Sequence, residues 1–192
     1  MSMATGALRV GDVGDMSDRK WYVAIVNNNT EKSVQSRLSK MNYESYVASQ
    51  TVTRIWKNGR KAKVDKVLLP SIVFVKCTEK ERREVVALPY INRFMTNKAG
   101  ASVNGGATPL AVIEQSQIDT LRFMLHQSDI PVTFIDSPYK VNDKIVVIRG
   151  SLKGLEGEVL RTFDGKSELI VRIDILGSAR ISINSIDVEP AK

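Results

Sequence analysis

Hydrophobic positions in the first two thirds of the chain alternate between strand-like runs and helical stripes. The run WYVAIV at 21–26 is aromatic and β-branched, which favours a strand. Val34, Leu38 and Met41 follow at i, i+4 and i+7, the spacing of a helix with one apolar face. The asparagines at 27–29 are suited to cap that helix. Further strands are predicted at 46–56, 61–69, 72–76 and 91–96.

Two more helices and a hairpin complete this part of the chain. Thr78 with Glu81 forms the capping-box pattern, so a helix is predicted over 79–88, ending before Pro89. Asn58-Gly59, between two strand-like segments, is a strong signal for a hairpin turn. A third helix, which ends near His126, is predicted from an apolar stripe formed by Ile118, Leu121, Met124 and Leu125.

The last third of the chain has only strand patterns. The stretch 128–139 contains two prolines and little periodicity, which is typical of a linker. Strands are predicted beyond it at 144–148, 157–163, 168–175, 179–184 and 186–189, with a turn at Asp164-Gly165. The predicted fold class is therefore α+β, with a disordered leader (1–19), an α/β sandwich (20–127), a linker (128–139) and a small five-strand β-barrel (140–190).

Composition excludes several kinds of protein. No run of about 18 apolar residues exists, which excludes a membrane-spanning helix. Cys77 and His126 are the single cysteine and histidine and lie on separate predicted elements. The sequence therefore has too few such residues for a zinc site or a catalytic Cys–His pair. Cys77 is predicted to be a small buried hydrophobic residue. A single cysteine cannot form an internal disulfide, which fits a reducing compartment. Since no set of catalytic residues stands out, we expect a cytoplasmic protein that is not an enzyme and uses no cofactor or metal.

The net charge of +7 is concentrated in the predicted sandwich. Residues 20–127 carry 17 basic against 8 acidic side chains, whereas 1–19 carry 2 against 3 and 128–192 carry 9 against 10. A basic surface confined to one domain is typical of a protein that binds nucleic acid or an acidic partner. A solvated lysine-rich surface without a partner is the alternative.

The stretch VNDKIVVIRGSLKGLEGEVLR at 141–161 combines a β-branched strand, a basic loop with three glycines and a second strand. Gly150, Gly154 and Gly157 are expected where the backbone needs positive φ or close packing. A phosphate-binding loop is a poor alternative, because Lys153 precedes Gly154 and no hydroxyl residue follows. The spacing resembles the KOW motif, which implies a small SH3-like β-barrel.

Four strings in order resemble the NusG family of transcription elongation factors over essentially all of 20–190. They are KWYVAIV at 20–26, the Glu31-Lys32 helix start, LPSIVFV at 69–75 and the KOW stretch. The resemblance implies an N-terminal NGN domain that sits on RNA polymerase and a C-terminal KOW domain that recruits another factor. It further implies an apolar pocket that receives the clamp helices of the large polymerase subunit, formed by Ile25, Leu69, Pro70, Ile72 and Phe74.

Side chains in the predicted 72–76 strand alternate between two faces, so pocket residues and core residues are expected on opposite faces. Ile72 and Phe74 share one face, while Val73 and Val75 share the other. We expect the first face to bind polymerase and the second to be core. The alternative is that all these side chains only fill the core.

The resemblance implies that the first helix lies near the non-template DNA strand of the transcription bubble, and two basic groups are candidates for contact with DNA. Arg37 and Lys40 lie i, i+3 on the first helix and share a face. The second group surrounds the predicted hairpin and includes Lys57, Arg60 and Lys61, with Arg54, Lys63 and Lys66 nearby. Phosphate contact and simple solvation are equally good interpretations of this hairpin.

In the KOW part, the resemblance implies a surface for ribosomal protein S10 or the termination factor Rho, formed by Leu152, Leu176, Gly177 and Ser178.

Leu69, Ser71 and Leu176 depart from the residues common in the family. These departures, together with a long loop predicted at 97–108, favour a specialised paralogue that antiterminates particular operons, such as surface-polysaccharide clusters, over a general factor. A KOW-containing RNA-binding or ribosome-associated protein is the alternative function. The protein is expected to be a monomer whose C-terminal domain is β, not helical, when free.

Overall fold

The computed structural model describes residues 18–97, 108–127, 131–135, 143–161, 167–173, 176–183 and 188–191. The predicted leader before residue 18, most of the 97–108 loop and the Asp164-Gly165 turn lie outside these residues. Among the described residues, no helix is long and apolar enough to cross a membrane.

An antiparallel sheet organises the N-terminal part, with β1 (Lys20–Ile25) at its centre. β1 pairs along its whole length with β5 (Ile72–Cys77), which also pairs with β2 (Glu44–Tyr46). On its other side β1 pairs with two short strands, β6 (Arg93–Phe94) and β7 (Val112–Ile113). The predicted strand at 21–26 is therefore confirmed as the strand on which the others assemble.

Both faces of this sheet are buried. Tyr22 and Ala24 face a cluster that α1 (Glu31–Lys40) and α2 (Glu79–Val86) cover. Trp21 and Val23 face a second cluster, which α3 (Gln115–Gln127) covers with its predicted apolar stripe. Because a strand alternates its side chains, a sheet covered on both sides needs the nearly continuous hydrophobic run seen at 21–26.

The helix starts show one confirmed prediction and two corrections. The capping box is present: the Glu81 backbone N–H donates to the Thr78 hydroxyl (3.2 Å), and the Thr78 N–H donates to the Glu81 carboxylate (2.8 Å). The asparagines at 27–29 do not cap α1, since Thr30 occupies that position without a side-chain cap. Met41 is not part of the apolar face of α1, because it follows the helix end and is exposed.

The predicted single strand at 46–56 is wrong. It is two strands, β2 and β3 (Ser49–Ile55), separated at Val47 and Ala48. Val47 and Ala48 are both buried but belong to different core clusters, so the chain crosses from one sheet to another between them. β3 then pairs with β4 (Lys61–Val67) as the predicted two-stranded hairpin. Cys77 is buried, and burial raises the pKa of its thiol to about 12, which agrees with the predicted structural role.

The C-terminal part is a six-stranded antiparallel sheet in the order β13-β9-β10-β11-β12-β8. The predicted strands are confirmed as β9 (Asp143–Val147), β10 (Glu156–Arg161), β11 (Ser167–Ile173), β12 (Gly177–Ile183) and β13 (Val188–Pro190). The sixth strand, β8 (Thr133–Ile135), lies within the predicted linker and pairs with β12. Pro131 and Pro138, which lie on either side of β8, obscured this short strand in the sequence.

The three glycines of the 141–161 stretch have the two roles that the sequence predicts. Gly150 and Gly154 have φ of 81° and 89°, where a residue without Cβ is favoured. Gly157 lies in β10, and a Cβ there would be 2.7 Å from the carbonyl oxygen of Ile170 in β11. The loop reverses the chain direction between the antiparallel strands β9 and β10.

α3 lies between the two sheets. Its apolar stripe joins the N-terminal core, while Ser116, Gln117 and Thr120 line a cleft against β9, β10 and β11. The buried side chains of both parts form one continuous cluster. The C-terminal sheet therefore packs on the side of α3 that faces away from β1.

Candidate binding surfaces

The structure brings the five predicted pocket residues together at one end of the β1–β5 pair. Ile25 is opposite Ile72, and Val23 is opposite Phe74, in the strand register. Pro70 is exposed and Ile25 and Ile72 are partly exposed, whereas Leu69 and Phe74 are buried. The accessible apolar surface here is therefore formed by Ile25, Pro70 and Ile72, and the other two residues belong to the core.

Phe74 is a core residue in this structure. Its side chain is 0% exposed, and its ring stacks on Tyr46 at 5.9 Å between ring centroids. The guanidinium of Arg122 lies 4.9 Å from the Tyr46 ring centre and 5.1 Å from that of Trp21. Burial raises the pKa of Tyr46 to about 12, with Arg122 opposing the shift. Phe74 is therefore part of the core and not of the accessible surface.

The turn between β4 and β5 is held by a buried carboxylate that the sequence did not single out for this role. Glu31, only 3% exposed, accepts hydrogen bonds from the backbone N–H groups of Ser71 (2.7 Å) and Asn29 (3.2 Å). The Val26 N–H in turn donates to the Ser71 carbonyl (2.9 Å). Pro70 is thus presented on a turn fixed to the start of α1 and the end of β1. The sequence around Glu31 indicates only a helix start and does not reveal its contact with Ser71, which is 40 residues away.

Ser71 has φ of 63°, the left-handed conformation that favours glycine. We expect Ser71→Gly to raise the free energy of unfolding by up to about 1 kcal/mol, because glycine removes the strain but adds disorder to the unfolded chain. Urea unfolding followed by circular dichroism measures this. Ser71→Ala is the matched control and should be no more stable than the wild type. A Ser71→Gly protein clearly less stable than Ser71→Ala would contradict the conformational argument.

Both predicted basic groups are exposed. Arg37 and Lys40 project from the last turn of α1, with the Arg37 guanidinium 5.2 Å from the ring centre of Tyr90. The hairpin is joined to α1 by Lys32, whose ammonium lies 2.7 Å from the Asp65 carboxylate. Hydrogen bonds from Lys32 and then Thr51 lower the pKa of Asp65. The single acidic residue of the hairpin is therefore already engaged at its base.

The hairpin tip is rigidly built and strongly basic. The Trp56 N–H donates to the Arg60 carbonyl (2.9 Å), and the Gly59 N–H donates to the Trp56 carbonyl (2.9 Å). Gly59 has φ of 79°, and the Asn58 side-chain oxygen accepts from the Arg60 N–H (3.1 Å). Lys57, Arg60 and Lys61 are exposed, and within the described part of the chain they form no ion pair.

The predicted C-terminal partner residues do not form an exposed surface. Leu152, Leu176 and Ser178 are buried, and Gly177 is partly buried. Sequence alone cannot separate a loop leucine that packs inward from one that faces a partner, because short loops have no fixed periodicity. Their role in binding stays a prediction, and it requires a rearrangement or a contact through neighbouring side chains.

Comparison with known proteins agrees with the three strings at 20–26, 31–32 and 69–75, while the KOW stretch at 141–161 lies outside the matched range. A family profile described as "Transcription termination factor nusG" matches residues 19–122, more than half of the chain. This protein belongs to the NusG family of transcription factors, and the two-faced antiparallel sheet with its helices is its NGN domain. No curated protein matches the chain at a significant level.

Two solved structures have chains similar to this one. Thermotoga maritima NusG, from a study of its domain interaction, is 16% identical, with 92% of this chain and 99% of that chain covered and a TM-score of 0.43. A chain of the MjSpt4:Spt5 complex in conformation A is 15% identical, with 90% and 98% covered and a TM-score of 0.27.

Proposed function

We propose that the chain binds elongating RNA polymerase through the surface of Ile25, Pro70 and Ile72 and promotes processive elongation or antitermination. The observation that carries this proposal is the placement of those three accessible apolar side chains together at one end of the β1–β5 pair, where Glu31 braces the turn that carries Pro70. Anchors that are rigid before binding lose little conformational freedom on binding. The clamp helices of the large polymerase subunit are the proposed partner.

The basic groups on α1 and the hairpin belong to the same connected part of the domain as the braced turn, since Lys32 ties the hairpin to α1 and Glu31 ties α1 to the turn. Polymerase bound at the turn therefore brings the non-template DNA strand near a basic surface. Phosphate attraction would add affinity that falls as salt rises. The two contacts together would favour a complex with an open bubble over free polymerase.

The C-terminal sheet is proposed to be a KOW domain that recruits a further factor, with ribosomal protein S10 or Rho as candidates. The alternative, an RNA-binding or ribosome-associated protein, needs a basic C-terminal surface. Instead, two of the described arginines there are paired: Arg172 lies 3.0 Å from Glu158, and Arg180 lies 3.2 Å from Glu168. This pairing favours a protein partner for the C-terminal domain.

Single-round transcription with purified RNA polymerase tests the proposal. We expect added protein to shorten pauses or raise read-through of a terminator, and Ile72→Asp to lose most of this effect. Val112→Asp is the matched control, because Val112 is exposed on the same sheet but pairs at the opposite end of β1. Comparison of templates with different upstream sequences tests specialisation, since a specialised paralogue acts on few of them. Equal activity of Ile72→Asp and the wild type would contradict the proposed surface.

A further inference from the structure

The hairpin tip carries an exposed aromatic ring among cations that form no ion pair with the residues the structure describes. Trp56 is 38% exposed, and the Arg54 guanidinium lies 5.5 Å from its ring centre. The backbone bonds that close the turn hold Trp56 in place, and Gly59 allows the tight return of the chain. Because tryptophan is enriched at binding interfaces, a tryptophan ring held at the surface beside several cations is a candidate contact.

Charge restricts the possible occupants. Around the ring lie Arg54, Lys57, Arg60 and Lys61, while Asp65, the acidic residue of the hairpin, is bound by Lys32 and Thr51. An acidic, stackable ligand fits this surface, and an apolar or basic one does not. Single-stranded nucleic acids have both required properties: a flat base for the ring and phosphates for the cations.

We propose that Trp56 is a stacking platform for an unpaired base of single-stranded DNA, with Lys57 and Arg60 holding the adjacent phosphates. This proposal depends on the proposed function only for the source of the strand, the transcription bubble. DNA is the proposed occupant because the strand that the proposed function supplies here is DNA, and a preference for RNA is an outcome of the test.

The two faces of the hairpin provide an internal comparison. Trp56 shares a face with Arg54, as their contact shows, and Ile55 projects to the other face. Ile55 is 62% exposed, so its replacement changes exposed apolar area without changing the ring. Ile55→Ala is therefore the matched control for Trp56→Leu.

Tryptophan fluorescence reports the proposed contact directly. The chain has two tryptophans, and Trp21 is buried, so a Trp21→Phe protein leaves Trp56 as the single reporter. We expect a thymidine oligonucleotide to quench this fluorescence at low salt, and an abasic oligonucleotide of equal length to bind without quenching. If the abasic strand quenches as strongly, or if neither quenches, the stacking proposal is overturned.

Binding measurements with the full chain separate stacking from charge. Trp56→Leu should weaken binding of the thymidine strand roughly tenfold, without changing its salt dependence. Trp56→Phe should recover part of the loss, and Ile55→Ala should have no effect. Lys57→Ala or Arg60→Ala should lower the slope of log affinity against log salt by about 0.7.

Competition with other nucleic acids decides the remaining outcomes. Duplex DNA of the same length should bind more weakly and should not quench Trp56, while RNA should bind no more tightly than DNA. Tighter binding of duplex or a tenfold preference for RNA would overturn the assignment. If Trp56→Leu binds the single strand as well as the wild type while the wild type binds polymerase, this inference alone is rejected. If Ile72→Asp binds polymerase as well as the wild type, the proposed function is rejected instead.

Discussion

The Phe74→Asp protein will fail to fold into the native N-terminal sheet. Phe74 is fully buried, lies opposite Val23 in the sheet and stacks on Tyr46. Deleting a buried phenylalanine side chain to alanine costs about 3–5 kcal/mol, and a buried carboxylate without a partner costs more. Typical domains have about 5–15 kcal/mol of stability, so this single change consumes a large share of it.

Circular dichroism and urea unfolding measure the effect of Phe74→Asp. Phe74→Leu is the control, since it keeps most of the apolar volume and should remain folded with a smaller loss. Ile72→Asp, which changes a partly exposed residue on the same strand face, should also remain folded. If the Phe74→Asp protein unfolds cooperatively with wild-type stability, Phe74 is not in the core. Loss of polymerase binding by Phe74→Asp alone therefore cannot define a contact surface.

The Gly157→Val protein will lose the native pairing of β10 with β11. Even a single Cβ at position 157 would lie 2.7 Å from the Ile170 carbonyl oxygen and 2.7 Å from a methyl group of Leu169. The carbonyl cannot move aside freely, because Ile170 is held in the ladder opposite Glu158 and Arg180. Overpacking of this kind typically costs about 1–3 kcal/mol, and the branched valine should be at the upper end.

Gly150→Ala is the contrasting control for this prediction. Nothing lies within 4 Å of a Cβ at Gly150, but its φ is 81°, so the expected cost is the smaller strain of about 1–2 kcal/mol. Gly157→Ala tests the close contact without the added branch. Amide hydrogen exchange over β10 and β11 localises the effect, while urea unfolding gives its size. A Gly157→Ala protein as stable as the wild type would refute the close approach of these strands.

Most of the fold could be predicted from local patterns. The run at 21–26, the capping box at Thr78 and the Asn58-Gly59 turn each contain their structural signal within a few residues, and each is confirmed. The strand break at Val47 and Ala48 could not be predicted, because it depends on which of two sheets the chain joins. The short strand β8 is stabilised by pairing with β12, a contact distant in sequence.

The candidate surfaces were predictable only in outline. Alternation correctly placed Ile72 and Phe74 on one face of β5, yet both faces of this sheet are covered. Sequence therefore identifies which side chains share a face but not how deeply each is buried. Glu31 illustrates the same limit, since its two backbone partners lie at Asn29 and at the distant Ser71.

Equilibrium binding to a reconstituted transcription elongation complex tests the central claim most directly. We predict that the wild type and Val112→Asp bind the complex, while Ile72→Asp and Pro70→Asp, once shown to be folded, bind at least tenfold more weakly. Free RNA should compete poorly. A wild-type protein that ignores the complex but binds free RNA tightly would contradict the account and favour the RNA-binding alternative.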